Sequence, residues 1–397
     1  MEQTELLIIG CGPAGGIAAR EAAAAGIQTV VLEKDAVVGQ KRVCAAGLRP
    51  GFCETFDLPR SLVHCDTSRL ALYDESGACH AFCVGPAHTT TREELDGTIG
   101  DLARSAGADV RVRALFRNLT RDGKQTIVEY ADLGSGGRRR IAARAVFFAT
   151  GATAQLEDLV PFGFASWSSG LLTCYQYRVY LERLAAPIAY ETLELHYYRL
   201  AGARQVVAWM FPKRDHLAIG LGVVGKIAGA QLRAELDQFT QRLAARLYPG
   251  VAHRIKEEGH LLYGGRPRPV ISHGSVMIGG TAAGLVDATN GEGIYEAALS
   301  GRFAAQACKQ FRNSAALAVK EYARLVRGTF YTRLRHRAQL MHFLERKPQR
   351  FGVLFEHLAS APRFREILER EGKPMGWNDR LYLYGQALRF AARALVV

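Results

Sequence analysis

No run of about 18 apolar residues occurs in the 397-residue chain, so nothing in it reads as a membrane-spanning helix. Eight cysteines are present, but none forms a CxxC pair. The closest spacing, Cys79-x3-Cys83, has no second pair and no histidine pair to complete a zinc site, so no metal is expected. No secretory signal is apparent, because the N-terminal apolar run leads directly into a glycine turn; a reducing cytoplasmic compartment is the expectation. Ser166, Ser168 and Ser169 lack a GxSxG context, which argues against a hydrolase triad. There is no internal repeat and no low-complexity stretch. Apolar residues make up 48% and charged residues 22%, a globular balance, and the length exceeds one ordinary domain.

The net charge of +13 is unevenly placed. From Arg324 to Val397 there are fifteen Lys or Arg against six Asp or Glu. Two readings of this tail stand side by side: a solvated helical surface, or a face for an anionic membrane or an acidic partner. Phe330, Tyr331, Phe351 and Phe355 lie among the arginines at spacings that read as apolar helix faces, so no nucleic-acid partner is expected.

Residues 5–9 read as a buried strand, 13–25 as an Ala-rich helix and 28–33 as a second strand, the start of a parallel sheet. A helix is expected over 92–106, then a strand near 109–115. Ser135-Gly136-Gly137 reads as a turn, and 145–149 as a buried strand ending at Thr150-Gly151. The stretch 171–225 is rich in β-formers and reads as an antiparallel sheet. Residues 275–279 rejoin the parallel sheet and 291–312 form a long helix. The rest is helical, with breaks expected at Gly328, Gly352 and Gly372.

The chemistry begins at Gly10-Cys11-Gly12-Pro13-Ala14-Gly15. This GxGxxG follows a strand and opens a helix. Gly10 permits the turn, Gly12 admits a pyrophosphate to the backbone, and Gly15 lets the helix pack on the sheet. Glu33, 18 residues after Gly15, ends the next strand and is placed to accept ribose hydroxyls; Lys34 follows it. The motif alone does not separate NAD from FAD. Four later features select FAD: Arg92 to Asp96 opening a helix, Thr150-Gly151 closing a strand, Gly279 to Gly284 following a strand, and Gly291-Glu292-Gly293-Ile294 opening the long helix. The fold expected is α/β (α+β overall). It comprises a Rossmann-like FAD-binding domain with a parallel sheet (1–155 and 265–315), an antiparallel-sheet substrate domain (156–264) and a helical C-terminal tail (316–397).

With these residues in view the sequence resembles the geranylgeranyl reductase family, within the flavoproteins that include the aromatic hydroxylases. The resemblance covers about residues 4–312 and rests on the glycine turn, on Lys41 to Leu48, on Arg92 and Asp96, on Trp209-Met210-Phe211-Pro212, and on Gly280 to Gly301. It implies that Arg42, Cys44, Ala45, Gly47, Arg92, Gly151, Thr281, Gly291, Glu292, Gly293 and Ile294 join the turn around FAD. Thr281 stands where the family usually has Asp, Val207 where it has an aromatic residue, and Thr150-Gly151 where it has Asp-Gly.

The implied reaction is hydrogenation of isolated C=C bonds in a polyprenyl chain, whether lipid, quinone or prenyl diphosphate. The implied place of Cys44 is beside the flavin's substrate side, supplying a proton or shaping the pocket; a small buried hydrophobe is the other reading. Glu292 reads chiefly as a turn residue, and His260 and His273 as satisfied histidines. Tyr175, Trp209, Phe211 and Pro212, with Trp167, Tyr177 and Tyr180, are expected to wall an apolar tunnel. No second GxGxxG follows a strand, so the electron donor is expected to be NAD(P)H bound transiently or a reduced ferredoxin-like acidic carrier. Two other functions compatible with these motifs are a flavin monooxygenase or halogenase on an aromatic substrate, and an electron-transfer flavoprotein to quinone.

Overall fold

The computed structural model describes residues 1–40, 44–122, 125–152, 170–182, 188–200, 204–225, 227–369 and 376–396. Arg42, Trp167 and Gly372 lie outside them.

The strand Glu2–Ile9 carries Leu6, Leu7 and Ile8 fully buried, as expected where helices cover both faces of a parallel sheet. It pairs in parallel with Thr29–Leu32 on one side and Arg138–Phe148 on the other; Ile8 sits between Val31 and Phe147. Asp109–Arg111 and Val276–Ile278 extend the sheet in parallel. The strands Ala114–Asp122 and Gln125–Asp132 attach through an antiparallel edge on Arg138–Phe148. Where one strand was expected near 109–115 there are thus two, separated by Arg113 with φ +54°.

Helices Pro13–Ala24 and Ile294–Gln310 pack face to face on this sheet. Proline at the first helical turn suits a position whose N–H has no intrahelical partner. Helix Arg92–Ser105 begins at Thr91, whose side chain accepts the Glu94 N–H at 3.4 Å.

The second sheet runs His253–Tyr263, Leu171–Leu181, Leu217–Val224, Arg204–Pro212, Thr192–Leu200, Cys65–Tyr73, Cys79–Thr89, Gly47–Leu48. Its last three strands come from residues 47–89, inside the segment expected to belong wholly to the FAD-binding domain. The physical reason is edge satisfaction. Thr192–Leu200 would present an open row of peptide groups beside buried Leu193 and Leu195, and Cys65–Tyr73 pairs along it in parallel.

Side chains alternate across Arg204–Pro212 with period two. Val206, Ala208 and Met210 pack toward the helix Gly229–Leu247, while Trp209 and Phe211 face the opposite side. That opposite side is covered by the C-terminal helices Thr332–Glu345, Gln349–Ser360 and Trp377–Val396 through Met341, Phe351, Phe355 and Phe390. The C-terminal region is helical, as expected, and its helices wall the second sheet. Gly352 lies inside the helix Gln349–Ser360 and is no break; its glycine instead marks a close approach, since a Cβ there would stand 2.9 Å from an Asp74 carboxylate oxygen. Gly328 falls in a π-helical turn, Arg327–Tyr331.

Candidate functional site

Gly10 has φ +97°, and a Cβ there would stand 2.6 Å from the Ala149 carbonyl oxygen. A Cβ on Gly15 would stand 1.9 Å from the Gly10 oxygen, so Gly15 sets the helix against the turn and lies behind the cleft. Gly10, Gly12, Pro13 and Ala14 line the cleft, and the helix start at Gly12 carries no side-chain cap. Glu33 spans the turn: one carboxylate oxygen accepts the Cys11 N–H at 2.8 Å and the other the Asp35 N–H at 3.0 Å. Burial raises its pKa, opposed by these two donors. Lys34 lines the cleft and its ammonium lies 2.8 Å from Asp35. Buried Arg92 makes a two-pronged ion pair with Asp96, at 2.8 and 2.5 Å, directly behind Gly12.

The second wall is built from the segment before the long helix. Ser300 accepts the Gly280 N–H at 3.0 Å, and Thr281 lines the cleft beside it. Asp287 organises the next turn, accepting the Thr289 N–H at 3.0 Å and its hydroxyl at 2.6 Å through one carboxylate oxygen, and the Gly291 N–H at 2.8 Å through its carbonyl. Gly291, Glu292, Gly293 and Ile294 all line the cleft, and this helix start also lacks a side-chain cap. The Glu292 carboxylate pairs with Arg49. Arg49 also reaches Glu296 at 2.6 Å, and Arg333 reaches the same oxygen at 2.8 Å. Arg337 pairs with Asp287. Arg333 and Arg337, together with buried Arg350, therefore turn part of the basic tail inward.

A single continuous cavity of about 1630 Å³ contains Gly10, Glu33, Cys44, Thr281 and Gly293 and runs on to Trp209 and Phe390. It exceeds the roughly 300–1,000 Å³ of one small-molecule pocket and has room for a dinucleotide and a second ligand. The residues present fit FAD. Two uncapped helix starts open on the cavity, suited to phosphate and to an anionic ring. The Thr150 hydroxyl is buried in its wall with no partner among the described residues. Gly151 lines the same stretch.

Residues 44–47 join the two ends of this cavity. Cys44, half-buried, lies beside the Arg92 guanidinium, and its sulfur accepts the Ala46 N–H at 3.4 Å. Ala45 lines the cavity; Gly47 lies so close to the Phe211 ring that a Cβ would stand 2.8 Å from it. Ala46 has φ +46°, a left-handed conformation uncommon for a residue with a side chain. Three hydrogen bonds from two groups hold its carbonyl region: Thr90 N–H at 3.0 Å on Ala46, and the Lys213 ammonium on both Ala45 and Ala46, the latter at 3.3 Å. Lys213 is 1% exposed, and burial lowers its pKa to about 7, with Cys44 and Cys65 nearby pulling the other way.

Lys213, Arg49, Asp287 and Arg337 were not among the expected site residues. Only Lys213 carried a local signal, immediately after Trp209-Met210-Phe211-Pro212.

Trp209 and Phe211 line the cavity, and the Trp209 indole N–H donates to Gln176 at 3.0 Å. Tyr175 does not. Strand alternation turns it to the opposite face, where its hydroxyl donates to Glu257 at 3.3 Å; Cys174 takes the inward position. Tyr177 likewise faces away and donates to Asp237. Pro212 is not a lining residue; its carbonyl accepts the Thr89 hydroxyl at 2.6 Å. Gly220, Gly222 and Gly225 repeat the GxGxxG spacing but belong to the strand Leu217–Val224 and its end, where Gly220 makes room for the Trp209 ring.

A model of the FAD binding domain family matches residues 3–294. The chain belongs to that family. Among its relatives, a geranylgeranyl diphosphate reductase of Rhodobacter capsulatus is 25% identical over 362 residues, covering 88% of this chain and 87% of that protein. A digeranylgeranylglycerophospholipid reductase of Thermoplasma acidophilum is 24% identical over 361 residues, covering 83% and 85%. The crystal structure of a geranylgeranyl bacteriochlorophyll reductase-like protein from Thermoplasma acidophilum superposes with a TM-score of 0.70 at 22% identity, covering 96% of each chain. The fold is thus that of FAD-dependent oxidoreductases, and FAD is the family's cofactor.

Proposed function

We propose that the chain hydrogenates isolated C=C bonds of a polyprenyl substrate carried on a diphosphate or a lipid. The observation that carries this reading is the continuity of one cavity from the Gly10–Gly15 turn to an apolar compartment walled by Leu195, Trp209, Phe211, Met341 and Phe355. An unactivated alkene resists hydride addition and requires a close, water-poor fit, which such a wall supplies. The relatives whose names specify geranylgeranyl or digeranylgeranyl substrates support the same class.

FAD would be held by the glycine turn, Glu33, the Thr150 hydroxyl and the helix start at Gly293, and once reduced it supplies the hydride for one alkene carbon. Cys44 would deliver a proton to the other. The Ala46 N–H would steady the resulting thiolate, and Lys213, by fixing the Ala45 and Ala46 carbonyls, positions this segment. Electrons reach the site from NAD(P)H or from a small acidic reduced carrier steered by the net positive charge.

The test is anaerobic incubation of reduced holoenzyme with geranylgeranyl diphosphate and with a digeranylgeranylglycerophospholipid. Mass spectrometry should show the addition of two hydrogens per reduced bond. Cys44→Ala should keep its flavin and lose about 10²-fold or more in rate. An oxygenated or halogenated product formed only in air, with no saturation, overturns the reading; full activity of Cys44→Ala removes the thiol from it.

A further inference from the structure

The helix Trp377–Val396 has two unlike faces. Gln386, Phe390 and Ala394 are buried against the body of the protein. On the other side Trp377 is 72% exposed, Leu381 52%, Tyr384 71%, Leu388 71% and Leu395 65%. These five recur at separations of three, four and seven residues, so they form one continuous apolar stripe along the outward face. Single exposed apolar residues are ordinary; an aligned stripe more than four turns long is not.

The charge on the same helix is predominantly positive. Arg380, Arg389 and Arg393 stand against the lone Asp379, which is paired with Arg363 at 3.4 Å. Arg393 pairs with Glu356 on the neighbouring helix. Arg380 and Arg389 are exposed and have no ion-pair partner among the described residues.

The helix also bears on the cavity. Phe390 and Ala387 line it, and Ala387 is itself exposed, so the apolar compartment reaches the surface beside the stripe. A stripe of Leu with Trp and Tyr, flanked by arginines, matches a helix that lies in the plane of a bilayer interface. Its aromatic rings sit at headgroup depth and its guanidinium groups meet anionic headgroups.

We propose that the outward face of Trp377–Val396 docks on an anionic lipid surface and places the mouth of the cavity against it. This goes beyond the reductase reading, since the docking is a property of the surface and is measured without turnover. A second copy of this chain is the competing occupant, and its charge argues against it: the same arginines would face each other across a two-fold axis.

The experiment is flotation of the FAD-loaded full chain with vesicles of phosphatidylglycerol and phosphatidylcholine, beside vesicles of phosphatidylcholine alone. The wild type should float with the anionic vesicles, about ten-fold more than with the neutral ones, and lose that preference in high salt. Trp377 should show a blue-shifted emission that Trp377→Phe removes. The double variant Leu381→Glu with Leu388→Glu should stay behind while keeping its flavin spectrum and melting temperature. It should also reduce a detergent-dispersed prenyl substrate at the wild-type rate, which separates docking from chemistry. The proposal is overturned if the double variant floats as the wild type does, or if the wild type floats with neither vesicle. It is equally overturned if light scattering shows the substitutions splitting a dimer with no change in flotation.

Discussion

Lys213 sits in an environment at odds with its chemistry. Its ammonium is enclosed among backbone carbonyls and ordinarily loses its proton near pH 10.5; here burial brings that to about 7. Between those two values the unfolded chain holds one proton more than the folded chain, so this group's contribution makes stability rise with pH across the window. Below about pH 7 both states are charged and the full burial penalty is present. Lys213→Met should therefore raise the melting temperature relative to wild type most at about pH 6, with the gain shrinking toward about pH 9. Equal gains at both ends would refute the titration.

At the other end of the cavity, Glu33→Ala removes a carboxylate that already holds the Cys11 and Asp35 N–H groups. Losing charge-assisted bonds of about 1.5–3 kcal/mol should weaken FAD retention about ten- to a hundred-fold, read as flavin occupancy after gel filtration. Unchanged occupancy would count against the adenosine end lying here. Glu33 was legible in the sequence because strand, turn and helix are consecutive there. Arg49 and Lys213 were not, because their partners lie far along the chain; Asp287 holds Thr289 and Gly291 close by, but its ion pair with Arg337 is equally invisible locally.

Among the elements, the tightest contact joins helices Pro13–Ala24 and Ile294–Gln310. A Cβ on Gly301 would stand 2.1 Å from the Ala14 carbonyl oxygen, a backbone atom that has no rotamer to yield. Gly301→Val should force the two helices apart, cost about 3 kcal/mol or more by overpacking, and lower flavin occupancy together with the denaturation midpoint. A stable variant with full flavin occupancy would show that the helix starts tolerate displacement. The first βαβ unit, the capped helix after Thr91 and the β-rich stretch from 171 were readable from local pattern. Residues 47–89 were not assignable, because alternation announces a strand without saying which sheet will take it, and a parallel partner more than a hundred residues away leaves no local mark. The reversal of Tyr175 has the same origin: period two fixes which residues share a face, and the core decides which face is inside.

For the whole molecule, the cavity is shared by both sheets and by the C-terminal helices, so FAD bound there would touch the seam between them. Its removal should loosen the molecule as a unit. Holoenzyme with free FAD at about a hundred times its dissociation constant should be stabilised by about 2.7 kcal/mol over apoprotein, and the melting temperature should climb with the logarithm of added FAD. A melting temperature indifferent to FAD would separate cofactor binding from the global fold. The basic surplus at the C-terminus was visible from composition, but not that Arg333, Arg337 and Arg350 turn inward while Arg380 and Arg389 stay out.

The walls around Trp209 come from sequence-distant places, Leu72 near one end of the chain and Phe390 near the other. A nascent chain leaving the ribosome therefore completes the first βαβ unit long before the last helices exist. Until translation passes Met341, the greasy inner face of the second sheet has only solvent or a chaperone against it, and its cover is complete only when Phe390 has been made. Premature termination in the final helices would then leave a sticky product, prone to aggregate because one wall of the cavity is missing.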